Sequence, residues 1–209
     1  MQFFGLSLAE WAVFLPACFA LNLSPGPNNI LALSNGARFG ALRATLAGCG
    51  RLLPFAAMIV LTAIGLGALL AASAAAFTVL KLAGAAYLVW LGVKLFRAGA
   101  PVVEEGSASE PLAAMALRDG LIAATNPKAI LIFTAVLPQF IEPGAPFVER
   151  FLTLGLVFLV LEVAAVAVYA SGGALAARFG GGNAVLKHMN RVCGGALVLA
   201  GGALALARR

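Results

Sequence analysis

Six apolar runs, at residues 6–33, 52–72, 79–96, 117–137, 151–170 and 192–207, fill most of this sequence, and its Lys and Arg residues gather between them or at their ends. A helix needs about 20 residues to cross the hydrocarbon core of a bilayer. Inside that core the backbone must satisfy its own hydrogen bonds, which leaves helices or closed barrels. Runs of this length, with no alternation of polar and apolar residues, predict helices. The chain is 62% hydrophobic and 11% charged, with a mean hydropathy of +1.01. A soluble domain carries about 25% charged residues, and a soluble chain of this size would lack the polar residues to cover its exterior. The expected fold is therefore all-α: a polytopic membrane protein with six transmembrane helices.

Charge then becomes a matter of topology. The net charge of +6 lies in loops and at helix ends, where it orients a membrane protein, so no nucleic-acid partner is expected. Arg38, Arg43, Lys94, Arg97, Arg118, Arg178, Lys187 and Arg191 fall on one side if six helices alternate. Lys81, Arg150, Arg208 and Arg209 fall on the other. The majority puts the central loop in the cytoplasm and both termini outside. Residues 1–8 hold no Lys or Arg and Glu10 interrupts the first run, so the first helix is expected to be retained rather than cleaved as a signal peptide. Cys18, Cys49 and Cys193 are isolated in apolar segments, which suits packing rather than disulfides.

The chain divides at a polar, proline-containing stretch that includes Pro101, Glu104, Glu105, Ser107 and Ser109. Residues 1–98 form an N-terminal three-helix repeat, 99–116 a cytoplasmic linker loop, and 117–209 a C-terminal three-helix repeat. Lys81, Gly84 and Gly92 of the third run match Arg191, Gly194 and Gly202 of the sixth in spacing. Three spans per half make the two repeats inverted, a plan used by transporters. The small residues of helices three and six suit close helix packing, within the chain or in a homodimer.

The clearest local feature is Ser24-Pro25-Gly26-Pro27-Asn28-Asn29 in the first run, and its counterpart in the fourth is Asn126-Pro127-Lys128. Proline lacks an N–H and clashes with the preceding turn, so helices 1 and 4 should both break. The freed carbonyls can be tolerated in a membrane only where protein or a wet cavity serves them. A kink used for packing alone would show the same prolines. Broken helices in corresponding positions nevertheless point to a substrate site, made of Ser24, Pro25, Gly26, Pro27, Asn28, Asn126, Pro127 and Lys128.

Lys128 follows Arg118 by ten residues, about 15 Å along a helix. Such depth calls for a partner or a cavity: a substrate carboxylate, or an acidic side chain of the protein. Glu162 lies mid-run with no basic neighbour in sequence. Burial disfavours a bare carboxylate, which suits a proton-coupling group or an ammonium contact. Static pairing with Lys128 or Arg51 is the competing reading. Arg51 heads the second run and is expected to snorkel to the headgroups. His188, beside Lys187, reads as solvated. A Walker A loop, metal-ligand spacing and a nucleophile elbow are all missing from the sequence. Hence no enzyme activity, cofactor or metal is expected.

Ser24-Pro25-Gly26-Pro27-Asn28, followed by Gly36, Gly40 and Gly48, resembles the start of the LysE/RhtB amino-acid exporters. The resemblance continues through Gly65-Leu66-Gly67 and Leu80-Lys81-Leu82-Ala83-Gly84-Ala85-Ala86-Tyr87-Leu88. It reappears at Asn126-Pro127-Lys128-Ala129-Ile130 and Leu137-Pro138-Gln139-Phe140, and so spans nearly the whole chain. It implies a bacterial inner-membrane secondary carrier, driven by proton antiport, that exports an amino acid or small derivative. The expected partners are that small molecule and membrane lipid. An exporter of metal or toxic organic cations, a thiol-redox carrier and a scaffold without transport are the competing readings. They would want, respectively, a carboxylate or thiol cluster, paired cysteines, and no use for intramembrane Lys128 and Glu162.

Overall fold

The computed structural model describes residues 2–3, 6–72, 74–97, 110–142 and 144–179, with 191–192, 194–195, 197–199 and 202 near the C-terminus. Most of the expected central loop and of the sixth helix lies outside the described residues, as do Lys187, His188, Cys193, Arg208 and Arg209. The protein is an all-α polytopic membrane protein. Among the described residues the β content is one small antiparallel pair, β1 (Gln2–Phe3) and β2 (Leu6–Ser7). Ser7 then caps helix α1 (Leu8–Leu23): its hydroxyl accepts from the Glu10 N–H while Glu10 accepts from the Ser7 N–H at 2.6 Å. This reciprocal arrangement serves two of the donors a helix start leaves open.

Helix α1 stops where proline requires it to. Ser24, before Pro25, takes φ −64° and ψ 137°, the extended conformation that a following proline imposes. Gly26 is fully extended, and Pro27 opens helix α2 (Pro27–Phe39) at the position where its missing N–H costs nothing. The two helices meet at 61°. The fourth segment repeats the device. Helix α6 (Leu112–Ala124) ends at Thr125, Asn126 is extended before Pro127, and helix α7 (Pro127–Leu131) restarts at 49°. From there the chain runs through a π turn and a 3-10 turn, the latter containing Pro138, to Phe140. Both expected breaks are thus present.

Two unbroken segments pass a length and hydropathy test for spanning a membrane. Helix α3 (Ala41–Gly48) continues through a 3-10 turn (Cys49–Arg51) into helix α4 (Leu52–Ala72), and helix α8 covers Phe147–Phe179. Each bent pair counted as one span gives four among the described residues. Helix α5 (Ala74–Arg97) adds 24 residues. Two boundaries differ from the hydropathy reading in a way that matters. The second span begins near Ala41 rather than at residue 52, and the fourth at Leu112 rather than at 117. Ionisable residues taken for helix ends therefore lie within the spans.

Helix α8 is the hub. At 1.5 Å per residue its 33 residues reach about 50 Å, so it overruns a 30 Å hydrocarbon core and must tilt or protrude. It packs closely on α2, where Gly173 lies against the Leu33 carbonyl and Gly36 against the Ala170 carbonyl. A side chain at either glycine would force the backbones apart. Gly202, expected as a packing residue, has open space around it among the described residues. On one side of the centre, Phe55, Phe133 and Phe158 meet edge to face with ring centroids 5.0–6.2 Å apart.

Candidate functional site

The two breaks face each other. Asn28, at the start of α2, donates through Nδ2 to Asp119 Oδ1 at 2.9 Å and to the Asp119 carbonyl at 2.8 Å. Its own Oδ1 accepts from Asn126 Nδ2 at 2.9 Å. Asn126 also caps α7, its Oδ1 accepting from the Lys128 N–H at 3.0 Å. Lys128 reaches back across the gap, and its Nζ donates to the Ser24 carbonyl at 2.6 Å.

The polar residues of the first break have a structural reason to be there. Removing helical N–H partners at Pro25 and Pro27 strands the carbonyls at the end of α1, and side chains take them up. Ser24 Oγ donates to the Leu21 carbonyl at 2.7 Å. Asn29 Nδ2 serves the Asn22 carbonyl at 2.6 Å and the Ser24 carbonyl at 3.0 Å. The Tyr169 hydroxyl, from α8, donates to the Leu23 carbonyl at 2.7 Å. The sequence suggested main-chain groups open to a ligand. In this conformation the protein's own donors occupy them, because an unserved carbonyl away from water costs as much as a lost hydrogen bond.

Arg51 organises the rest and corrects the sequence reading. It does not snorkel: its side chain is fully buried, since the second span starts ten residues before it. Its Nε and Nη2 form a two-point bridge to Asp119, at 2.8 and 2.9 Å. Nη1 donates to Glu162 Oε1 and to Asn29 Oδ1, both at 2.8 Å, and Nη2 also donates to the Asn28 carbonyl at 2.7 Å. The planar guanidinium is suited to this many-partner role in a way an ammonium is not. One guanidinium thus faces two carboxyl groups, from the fourth and fifth spans, and holds both asparagines of the first break. Glu162, which has no basic neighbour in sequence, is paired here with Arg51, 111 positions away, one of the two partners weighed for it in the competing reading.

Of the residues singled out from sequence, Asn28, Asn126, Lys128, Gly26 and Glu162 line a small cavity of about 20 Å³, room for about one water. Phe55 and Phe158 are among its apolar walls. A second cavity, about 490 Å³, adjoins it. Residues 25–27 of the first break, residues 126–128 of the second and the Tyr87, Trp90, Leu91 and Lys94 face of α5 line it, and it is open on one side. Gly26, Asn126 and Lys128 line both cavities. Ser24 is buried behind them and takes part through its carbonyl. Among the described residues no group of three or more His, Cys, Asp or Glu is placed to hold a metal ion.

Asp119 and Tyr169 drew no reading from the sequence, Asn29 stood in the break motif but outside the expected substrate site, and Arg51 was expected to snorkel. A faint signal existed: Arg51 and Asp119 are oppositely charged residues in two apolar segments. A carboxylate beside Arg118 reads more naturally as a helix-end charge, and nothing in sequence separates the two cases.

The family model described as LysE type translocator matches residues 19–208. The chain is 35% identical over 204 residues to an uncharacterized membrane protein of Vibrio cholerae, covering 97% of this chain and 100% of that protein. It is 33% identical over 199 residues to the homoserine/homoserine lactone efflux protein of Salmonella typhimurium, covering 95% and 97%. To the leucine efflux protein of Klebsiella pneumoniae it is 31% identical over 160 residues, covering 73% and 76%. No solved structure matches the chain.

Proposed function

The chain belongs to the LysE type translocator family, and from that premise we propose that it is a secondary carrier in a bacterial inner membrane. It exports an amino acid or small amino-acid derivative by alternating access, in exchange for protons. The relatives named for homoserine, homoserine lactone and leucine efflux support the substrate range. The observation that carries the proposal is the meeting of the two helix breaks at a buried charged cluster, with a cavity on the side of α5.

In this reading the two halves, 1–98 and 117–209, are inverted repeats joined by a cytoplasmic loop. Arg43 donates to the Glu110 carbonyl, and Arg118 pairs with the Glu110 carboxylate at 3.0 Å. These contacts support one basic face where α3 and α6 begin. The larger cavity runs from the breaks toward Lys94, near the same basic end of α5. Substrate therefore loads from the cytoplasm. The Phe55, Phe133 and Phe158 cluster lies on the opposite side of the polar site and closes the outward path.

Lys128 exchanges its bond to the Ser24 carbonyl for the substrate carboxylate. Asn28 and Asn126, with the main chain at Gly26, hold the substrate's polar groups. Glu162 and Asp119 share one guanidinium, and the surplus negative charge at Glu162 takes either a proton or the substrate ammonium. Loading one displaces the other, which is the exchange an antiporter requires. Binding that differs between the two states is what couples them.

Purified protein in vesicles loaded with amino acids tests this. An inward proton gradient should drive efflux well above that of protein-free vesicles. Glu162→Gln should lose the response to the gradient while retaining amino-acid exchange. Equal gradient-driven efflux by the wild type and Glu162→Gln would remove that carboxyl from the mechanism.

A further inference from the structure

We infer that the larger cavity selects a zwitterionic amino acid with an apolar side chain and turns away dibasic ones. The inference rests on the export reading and narrows its substrate. The cavity, about 490 Å³, has the size and mixed character of a small-molecule site. Its floor is polar, formed at the two breaks by Gly26, Asn126 and Lys128. Its walls are apolar: Leu91 and Leu131, with Tyr87 and Trp90 side by side at a centroid distance of 5.7 Å.

Charge sharpens the choice. The lining has two ammonium groups, Lys128 at the floor and Lys94 at the other end, where its Nζ lies 4.9 Å from the Trp90 ring centroid. No carboxylate is among the described lining residues. Glu162 lies in the adjoining small cavity and is bonded to Arg51. Asp119 is engaged through both oxygens. A substrate carboxylate at Lys128 and an α-ammonium turned toward Glu162 use the charges at the floor. The side chain must then lie along Tyr87 and Trp90 toward Lys94. An apolar side chain gains from that wall, whereas a second ammonium meets a like charge with no carboxylate to offset it.

Exchange in vesicles containing the full-length protein tests this. Uptake of labelled leucine is driven by unlabelled leucine, phenylalanine, homoserine or lysine inside. Leucine and phenylalanine should drive uptake about tenfold or more better than lysine, the discrimination one pocket contact can supply. Lys94→Glu should shrink that gap to about threefold or less by reversing the charge at the end of the wall. Lys94→Gln, a smaller change, should shrink it partway and serves if the first variant fails to insert. Trp90→Ala should raise the half-saturating leucine concentration about tenfold and move that of homoserine, with its short polar side chain, less than about twofold. Lysine driving wild-type uptake as well as leucine, or a preference indifferent to Lys94, would overturn the inference alone. No leucine uptake with any of the four, while labelled homoserine exchanges, would overturn the inference alone; no exchange with either label would overturn the export reading and this inference with it.

Discussion

The side-chain amide of Asn126 donates to Oδ1 of Asn28 at 2.9 Å, so the proline break of the fourth span is tied to that of the first. Ninety-eight positions separate the two residues, and each makes a further bond. Asn126 caps α7 and Asn28 holds Asp119. Asn126→Ala removes both a cap and a buried cross-link. The expected cost is about 1–3 kcal/mol for the buried bond and about 1 kcal/mol for the cap. A lower melting temperature in detergent, with slower efflux from vesicles, is the expected result, and an unchanged melting temperature would show the tie to be idle.

Arg51 should be the most sensitive charged residue in the chain. Arg51→Leu leaves Asp119 and Glu162 facing each other without a cation. Breaking a buried pair in this way costs about 3–5 kcal/mol. Arg51→Lys keeps the charge but loses the fork, and should fall between. A double-mutant cycle over Arg51 and Asp119, read by unfolding in detergent, should return a coupling of about 1 kcal/mol or more. Additive losses would mean that the bridge contributes nothing.

Lys128→Met retains the side-chain stem and removes the ammonium. The variant should insert and fold, because the Ser24 carbonyl keeps its bond from Asn29. Transport should fall about a hundredfold, the loss expected when the charge that holds a carboxylate is removed. Full activity in a correctly inserted Lys128→Met protein would move the carboxylate site elsewhere.

Close helix contact at Gly173 and Gly36 gives a prediction about stability alone. Gly173→Ala pushes a methyl group into the Leu33 carbonyl and should cost about 1–3 kcal/mol as overpacking. Gly65→Ala, where an added Cβ meets nothing within 4 Å, should leave the melting temperature within experimental scatter. Equal effects at the two sites would argue against the tight α2–α8 interface.

Local chemistry wrote the solvent and the punctuation of this protein. Apolar runs too long for a soluble core determined helices in lipid, and Pro25, Pro27 and Pro127 determined where two of them break, because a missing N–H acts within one turn whatever surrounds it. The polar residues beside those prolines were legible for the same reason. The assembly of the site was a tertiary decision. Arg51 looked like a helix-end charge until α3 extended the second span behind it, and Asp119 drew no reading at all until α6 carried it inside. Glu162 looked isolated because its cation comes from a different span. Charge pairing acts through space over a few ångströms, between residues 68 and 111 positions apart, and hydropathy along the chain contains no measure of that distance.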